Sequence, residues 1–235
     1  MLASRYRLCL FDAYGTLFDL SSVAQRSAAR LGERAPALLA LWRHKQLEYT
    51  WLRTLMQRHA PFDQVTADAL HHALESLGIS DSDLAGELLA GYLSVAPYPE
   101  VPATLAALEQ AGIARGILSN GTPAMLNGAL RASGLEFYFR HVLSVESVGC
   151  YKPDPRVYAL AVSETGTSLE EIVFVSANAW DVAGAASFGL RVVWVNRSQA
   201  GSERLPGAPV ATISSLADLP GSLADCDVVV PNEAK

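Results

Sequence analysis

The sequence predicts an α/β fold, a parallel-sheet core with a helical cap domain inserted after the first strand. Two observations carry that prediction. Short apolar runs, each closed by a small polar or glycine turn, alternate with helical stretches through most of the chain. Between about Leu20 and Ala96 the strand signals vanish and a helical period takes over. The length of 235 residues suits a core with a small insert better than two independent domains.

Taken in order, the chain opens with Leu8 to Phe11, a run that reads as a buried strand and ends at Asp12-Ala13-Tyr14-Gly15-Thr16. The insert follows, with Leu38, Trp42, Tyr49, Leu52 and Met56 recurring at helical steps as an apolar stripe. Pro97-Tyr98-Pro99 is a stiff re-entry into the core. The expected division is therefore 1–17 and 99–235 for the core and 18–98 for the cap. Beyond it come a helix over Val101 to Ala111, a strand Arg115 to Leu118, and a helix over Pro123 to Ser133. A helix over Pro155 to Thr165, a strand Ile172 to Val175, a helix Val182 to Phe188 and a strand Val192 to Val195 complete the series.

Strands alternating with helices imply a parallel sheet covered on both faces, a Rossmann-like core. Asp12, Ser119 and Ser176 each follow the carboxyl end of an expected strand. Ligands of open α/β sheets bind at that rim, near the switch in strand order.

Composition excludes several functions. A formal net charge of −6 argues against a nucleic-acid footprint, yet one buried Arg or Lys still suffices for a small anion. Cys9, Cys150 and Cys226 cannot complete a disulfide framework and fit reduced thiols of a cytoplasmic protein. The apolar run behind Arg5 and Arg7 is too short for a signal peptide, and no stretch approaches a membrane span. Ser119 lies outside a G-x-S-x-G elbow because Ile117 takes the first glycine position. The adjacent His71 and His72 point to different sides of a helix, and Cys150 lacks zinc-like spacing.

A carboxylate at the end of the first strand, followed by Gly15-Thr16, suits covalent catalysis when neighbouring donors hold it. Alone, Asp12 would read more readily as a loop cap. Its context resembles more. Phe11-Asp12-Ala13-Tyr14-Gly15-Thr16-Leu17-Phe18-Asp19 looks like the first motif of the haloacid dehalogenase superfamily, and Ser119-Asn120-Gly121 like the second. Tyr151-Lys152-Pro153-Asp154 resembles the third, and Phe174-Val175-Ser176-Ala177-Asn178-Ala179-Trp180-Asp181 the fourth. Order, spacing and helical insert all agree over nearly the whole chain.

The phosphatase branch of that superfamily has an Asp two residues after the nucleophile, where this chain has Tyr14. Of the acidic pair that branch uses for Mg²⁺, only Asp181 is present. The pattern is instead similar to the L-2-haloacid dehalogenases, including the cap segment from Leu41 to Arg53. His44 stands where that branch has Gln, and Ala177 where it has Ser, which bears on fine specificity.

The resemblance implies hydrolysis of short (S)-2-haloacids to (R)-2-hydroxyacids through an ester on Asp12, with water as second reactant and neither metal nor cofactor. It assigns catalytic roles to Asp12, Thr16, Arg43, Ser119, Lys152, Tyr158, Ser176, Asn178 and Asp181. Lys152 would keep Asp12 ionised, Ser176, Asn178 and Asp181 would fix it and help activate water, and Tyr158 would support the network. Ser119 and the amides near Ala13 and Tyr14 would take the substrate carboxylate, while Arg43 and Asn120 would cradle the halide. Tyr14, Leu47, Phe62 and Trp180 would form apolar walls. Asp181 also reads as an N-cap for a helix beginning near Val182, and Tyr158 as a half-buried packing residue. The resemblance allows a homodimer. Two other readings stand beside it, a phosphatase of the same superfamily and a non-catalytic small-anion binder.

Overall fold

The computed structural model describes residues 5–25 and 27–226. β1 (Leu8–Phe11) leads into α1 (Ser21–Gln25), α2 (Ala28–Leu31), α3 (Ala35–Leu55), α4 (Phe62–Ser76) and α5 (Ser82–Leu93). α6 (Val101–Gln110), β2 (Ala114–Ser119), α7 (Pro123–Ser133), β3 (His141–Ser144) and α8 (Pro155–Ser163) follow. β4 (Ile172–Ser176), α9 (Ala179–Phe188), β5 (Arg191–Val195), β6 (Ala211–Ile213) and α10 (Leu219–Cys226) close the series.

The described strands form one parallel sheet in the order β3-β2-β1-β4-β5-β6. β1 is fully buried and pairs with β2 on one side and β4 on the other. The chain lays β2 and β3 on one side of β1 and then crosses to place β4 to β6 on the other, so the switch point is the carboxyl end of β1. Asp12 stands there, and Ser119 and Ser176 end the two flanking strands.

Local chemistry explains the helix boundaries. α7 begins after Thr122, whose hydroxyl accepts the Met125 N–H, has Pro123 in its first turn, and ends at Gly134 with φ 65°. α8 begins after Asp154 in the same way, with Pro155 in its first turn. The edge strands β3 and β6 escape the sequence reading because they are short, partly exposed and less uniformly apolar than the central ones.

α1 to α5 lie between the first two strands in sequence and pack above the carboxyl rim. Short segments anchor this insert: Phe18 bridges Pro97, Asp19 N–H donates to Ala96, and Tyr98 N–H donates to Leu17. The apolar stripe expected on α3 is corrected in its second half. Leu38 and Trp42 are buried, but Leu52 is exposed and Met56 is 60% exposed. The buried positions are Leu38, Trp42, Gln46 and Thr50, a four-residue step that admits two polar side chains.

Candidate active site

Gly15 takes φ 89°, which folds the chain sharply after β1 and turns Thr16 back toward Asp12. The Thr16 hydroxyl donates to Asp12 Oδ2 at 3.1 Å and accepts the Ala177 N–H at 2.8 Å. Asn178 Nδ2 donates to the same Asp12 oxygen at 2.8 Å and to the Tyr14 carbonyl at 3.2 Å. Asp12 Oδ1 accepts from Lys152 Nζ at 3.2 Å. Both Asp12 oxygens are thus met by donors, and the residue is only 7% exposed.

Lys152 is fully buried and lies 4.7 Å from the centroid of the Phe174 ring. Its shorter bond, 2.8 Å, goes to Asp181 Oδ2. That oxygen also accepts from the Ser176 hydroxyl at 3.1 Å, and Asp181 Oδ1 accepts from the Tyr158 hydroxyl at 2.8 Å. Burial pushes the Asp181 carboxyl above the usual carboxylate range; the Lys152 charge opposes that shift and the Asp12 charge adds to it. Burial and the neighbouring Asp181 raise the Tyr158 phenol as well, so it stays a donor. Gly184 makes room for it, since a Cβ there would come within 2.6 Å of both the Tyr158 hydroxyl and Pro153.

The helix carrying Asp181 begins earlier than the sequence suggested. α9 starts at Ala179 with Asn178 at the N-cap position, so Asp181 sits inside the first turn and is not the cap. Asn178 makes no capping bond because its side chain is turned to Asp12. Its own N–H is met by Ser176 Oγ at 3.1 Å. Tyr158, read as half-buried, is wholly buried.

From the cap, Arg43 reaches the rim. Its Nη2 donates to Asn178 Oδ1 at 3.4 Å and its Nη1 to Gln46 Oε1 at 2.7 Å. Asn178 therefore touches the cap arginine with its oxygen and the core aspartate with its nitrogen. Tyr14 is buried among Phe62, Phe18 and Tyr92, with centroids 6.2, 6.3 and 5.4 Å away. Trp180 packs edge-on against Trp51 of α3 at 5.6 Å. Leu47 is half-buried beside Arg43's helix face, and Ala13 is fully buried. Ser119 is buried and its hydroxyl accepts the Gly121 N–H. Asn120 Oδ1 accepts the Lys152 N–H at 3.1 Å, which ties the second motif to the third.

Three contributors were not foreseen: Gln46, Tyr92 and Trp51. Gln46 and Trp51 lie on the α3 stretch already singled out; the three-residue step from Arg43 to Gln46 was a signal that could have found their contact, but nothing in the sequence marks Trp180 as the partner of Trp51. Tyr92 closes α5, far from any motif. His44, the departure expected to bear on fine specificity, has a side chain 71% exposed and faces Glu48.

No described cluster of three or more His, Cys, Asp or Glu is arranged to hold a metal. The donor set itself is a poor fit for Mg²⁺, because the Lys152 ammonium stands between the two carboxylates and Tyr14 supplies no third. Among the described residues no helix is long and apolar enough to cross a membrane.

Comparison with known proteins gives the family of this chain. The family model for haloacid dehalogenase-like hydrolases matches residues 6–189. (S)-2-haloacid dehalogenase 1 of Pseudomonas sp. (strain CBS-3) is 45% identical over 215 residues, 91% of this chain and 95% of the relative. (S)-2-haloacid dehalogenase 4A of Burkholderia cepacia is 45% identical over 81% of this chain and 83% of its own. The solved L-2-haloacid dehalogenase of Xanthobacter autotrophicus with chloropropionic acid covalently bound superposes with a TM-score of 0.86 at 37% identity, covering 93% of this chain and 98% of that one. On fold, motif order and identity along its length, this chain belongs to the haloacid dehalogenase-like hydrolases and, within them, to the (S)-2-haloacid dehalogenase family.

Proposed function

We propose that this protein hydrolyses short (S)-2-haloacids to (R)-2-hydroxyacids and halide through an ester on Asp12, without a metal or other cofactor. The observation that carries the reading is that a donor-held Asp12 and the cap's Arg43 meet on the same Asn178 side chain, at a rim where Tyr14 stands in place of a second carboxylate. In the first step an Asp12 carboxylate oxygen bonds to the substrate C2, and the carbon–halogen bond breaks with its electron pair leaving as halide. In the second, water adds to the Asp12 carboxyl carbon. The bond from that carbon to the ester oxygen then breaks, and the departing oxygen takes a proton to become the hydroxyacid. One displacement at C2 inverts it; the second step leaves it untouched.

Lys152, Thr16 and Asn178 hold Asp12 for in-line attack. Arg43, with Asn120, meets the charge that develops on the departing halogen, where a preorganised donor is worth most. Ser119 and the amides of Ala13 and Tyr14 receive the substrate carboxylate. Asp181, lifted by burial and steadied by Ser176 and Tyr158, serves the water that opens the ester. Tyr14, Leu47, Phe62 and Trp180 exclude bulk water. The unbridged, buried Cys9 and Cys150 suit a reducing cytoplasm. The apolar patch of Leu52, Leu55 and Met56 at the end of α3 is the surface on which a second copy would seat, which light scattering tests.

The deciding experiment is halide release from a panel of L- and D-2-haloacids, fluoroacetate included, with and without excess EDTA. Release from the L-isomers in EDTA supports the reading; dependence on added Mg²⁺, or no release from any member, overturns it.

A further inference from the structure

Gln46 is a fully buried amide on the cap helix α3, three residues beyond Arg43. Every polar atom of its side chain is engaged. Nε2 donates to Thr66 Oγ1 at 2.6 Å, and Oε1 accepts from Arg43 Nη1 at 2.7 Å and from the Tyr92 hydroxyl at 3.4 Å. The orientation of the amide follows from its neighbours. The Thr66 hydroxyl spends its one hydrogen on the Phe62 carbonyl, at 2.6 Å, so it can only accept from Gln46. Arginine can only donate, so the oxygen must face Arg43. Tyr92, raised by burial, stays protonated and donates to the same oxygen.

Among the described residues Arg43 is paired with no carboxylate; its side-chain partners are the neutral Gln46 and Asn178. A carboxylate at position 46 would keep one oxygen on Arg43 but cancel the guanidinium charge at short range in a poorly solvated site, and its other oxygen would need the Thr66 hydroxyl to turn from Phe62 and donate. We infer that Gln46 is a positioning residue for the halide-releasing step: its fixed, neutral carbonyl aims Arg43 at the leaving group while leaving the full positive charge for the anion. This rests on the reading of Arg43 given above.

The test separates the two half-reactions in rapid-quench single turnovers of L-2-chloropropionate, following chloride and lactate. Gln46→Glu keeps the shape and removes the free charge; Gln46→Met keeps the bulk and removes the acceptor. Each is expected to slow chloride release by about tenfold to a hundredfold, the scale of losing or misplacing one preorganised group. Ester hydrolysis should stay near the wild-type rate, and bromide should inhibit more weakly. A residue that merely filled the cap would, when changed, slow both steps together, and that result overturns the inference, as does wild-type chloride release in Gln46→Glu. Should the Gln46 variants not fold, Thr66→Val decides, since it removes the anchor on Gln46 Nε2 and lets the side chain swing away from Arg43: unchanged chloride release there also overturns it. Arg43→Ala with normal chloride release would instead sink the reading of Arg43 itself, whereas an impaired Arg43→Ala beside a normal Gln46→Glu would sink only the inference about Gln46.

Discussion

Lys152 makes its shorter bond to Asp181, at 2.8 Å, and its longer one to Asp12, at 3.2 Å. One buried cation therefore serves two buried carboxylates, and the second charge is not compensated in full. Asp181 bears the consequence, because it is wholly buried and Asp12's charge adds to the burial penalty.

A carboxyl raised in the folded state binds its proton more tightly there than in the unfolded chain. Its favourable contribution is present below the ordinary carboxylate value of about 3.9 and is lost as pH rises through the raised one. Asp181→Asn should abolish turnover, yet its melting temperature relative to wild type should climb as pH rises from about 4 to 8. Thermal unfolding across that range checks this. A difference that shrinks with rising pH would mean that Lys152's attraction outweighs burial.

Lys152→Met takes away the only cation bonded to either carboxylate in the described network. Breaking a buried ion pair from one side typically costs about 3–5 kcal/mol, and here it strands two negative charges. The loss should be greatest at neutral pH and smallest near pH 4, where the carboxyls can take up protons. Urea unfolding at both pH values measures it, and a loss independent of pH would show that packing, not charge, is what Lys152 supplies.

Asp12→Asn should fold normally and turn over orders of magnitude more slowly. In a single wild-type turnover in H₂¹⁸O, mass spectrometry of the peptide containing Asp12 should find the label there before it reaches product. Label in the first hydroxyacid released would mean that water attacks the substrate directly.

His44 and Arg43 are neighbours with opposite expectations. The Arg43 side chain reaches Asn178, whereas His44 lies outside the rim against Glu48. Arg43→Ala should lower kcat on both chloroacetate and fluoroacetate by about 10²–10³. His44→Gln should leave both rates, and their ratio, at the wild-type level. A shifted chloride-to-fluoride ratio would bring His44 into the pocket after all.

Much of this site could be read from one chain because its chemistry sits at strand ends. Asp12, Ser119 and Ser176 each close an apolar run, and the period of that signal is local. Lys152 and Asn178 were legible through the motifs beside them. The contacts of Tyr92 and Trp51, and those Gln46 makes beyond Arg43, were not, since they join residues 20 or more positions apart. The start of α9 was misplaced because Asn178, at the cap position, spends its side chain on Asp12 rather than on the helix.

By itself the sequence determined the alternation of strands and helices, the helical insert and the residue types at the rim, all consequences of local hydrophobic period and turn chemistry. Tertiary structure alone decided that Lys152 is shared between two carboxylates, that Asn178 joins the nucleophile loop to the cap arginine, and that the amide beside that arginine is itself fixed by Thr66 and Tyr92. Those relationships depend on how two layers distant in sequence meet in a buried space, where every polar group must find a partner and the nearest one is set by packing.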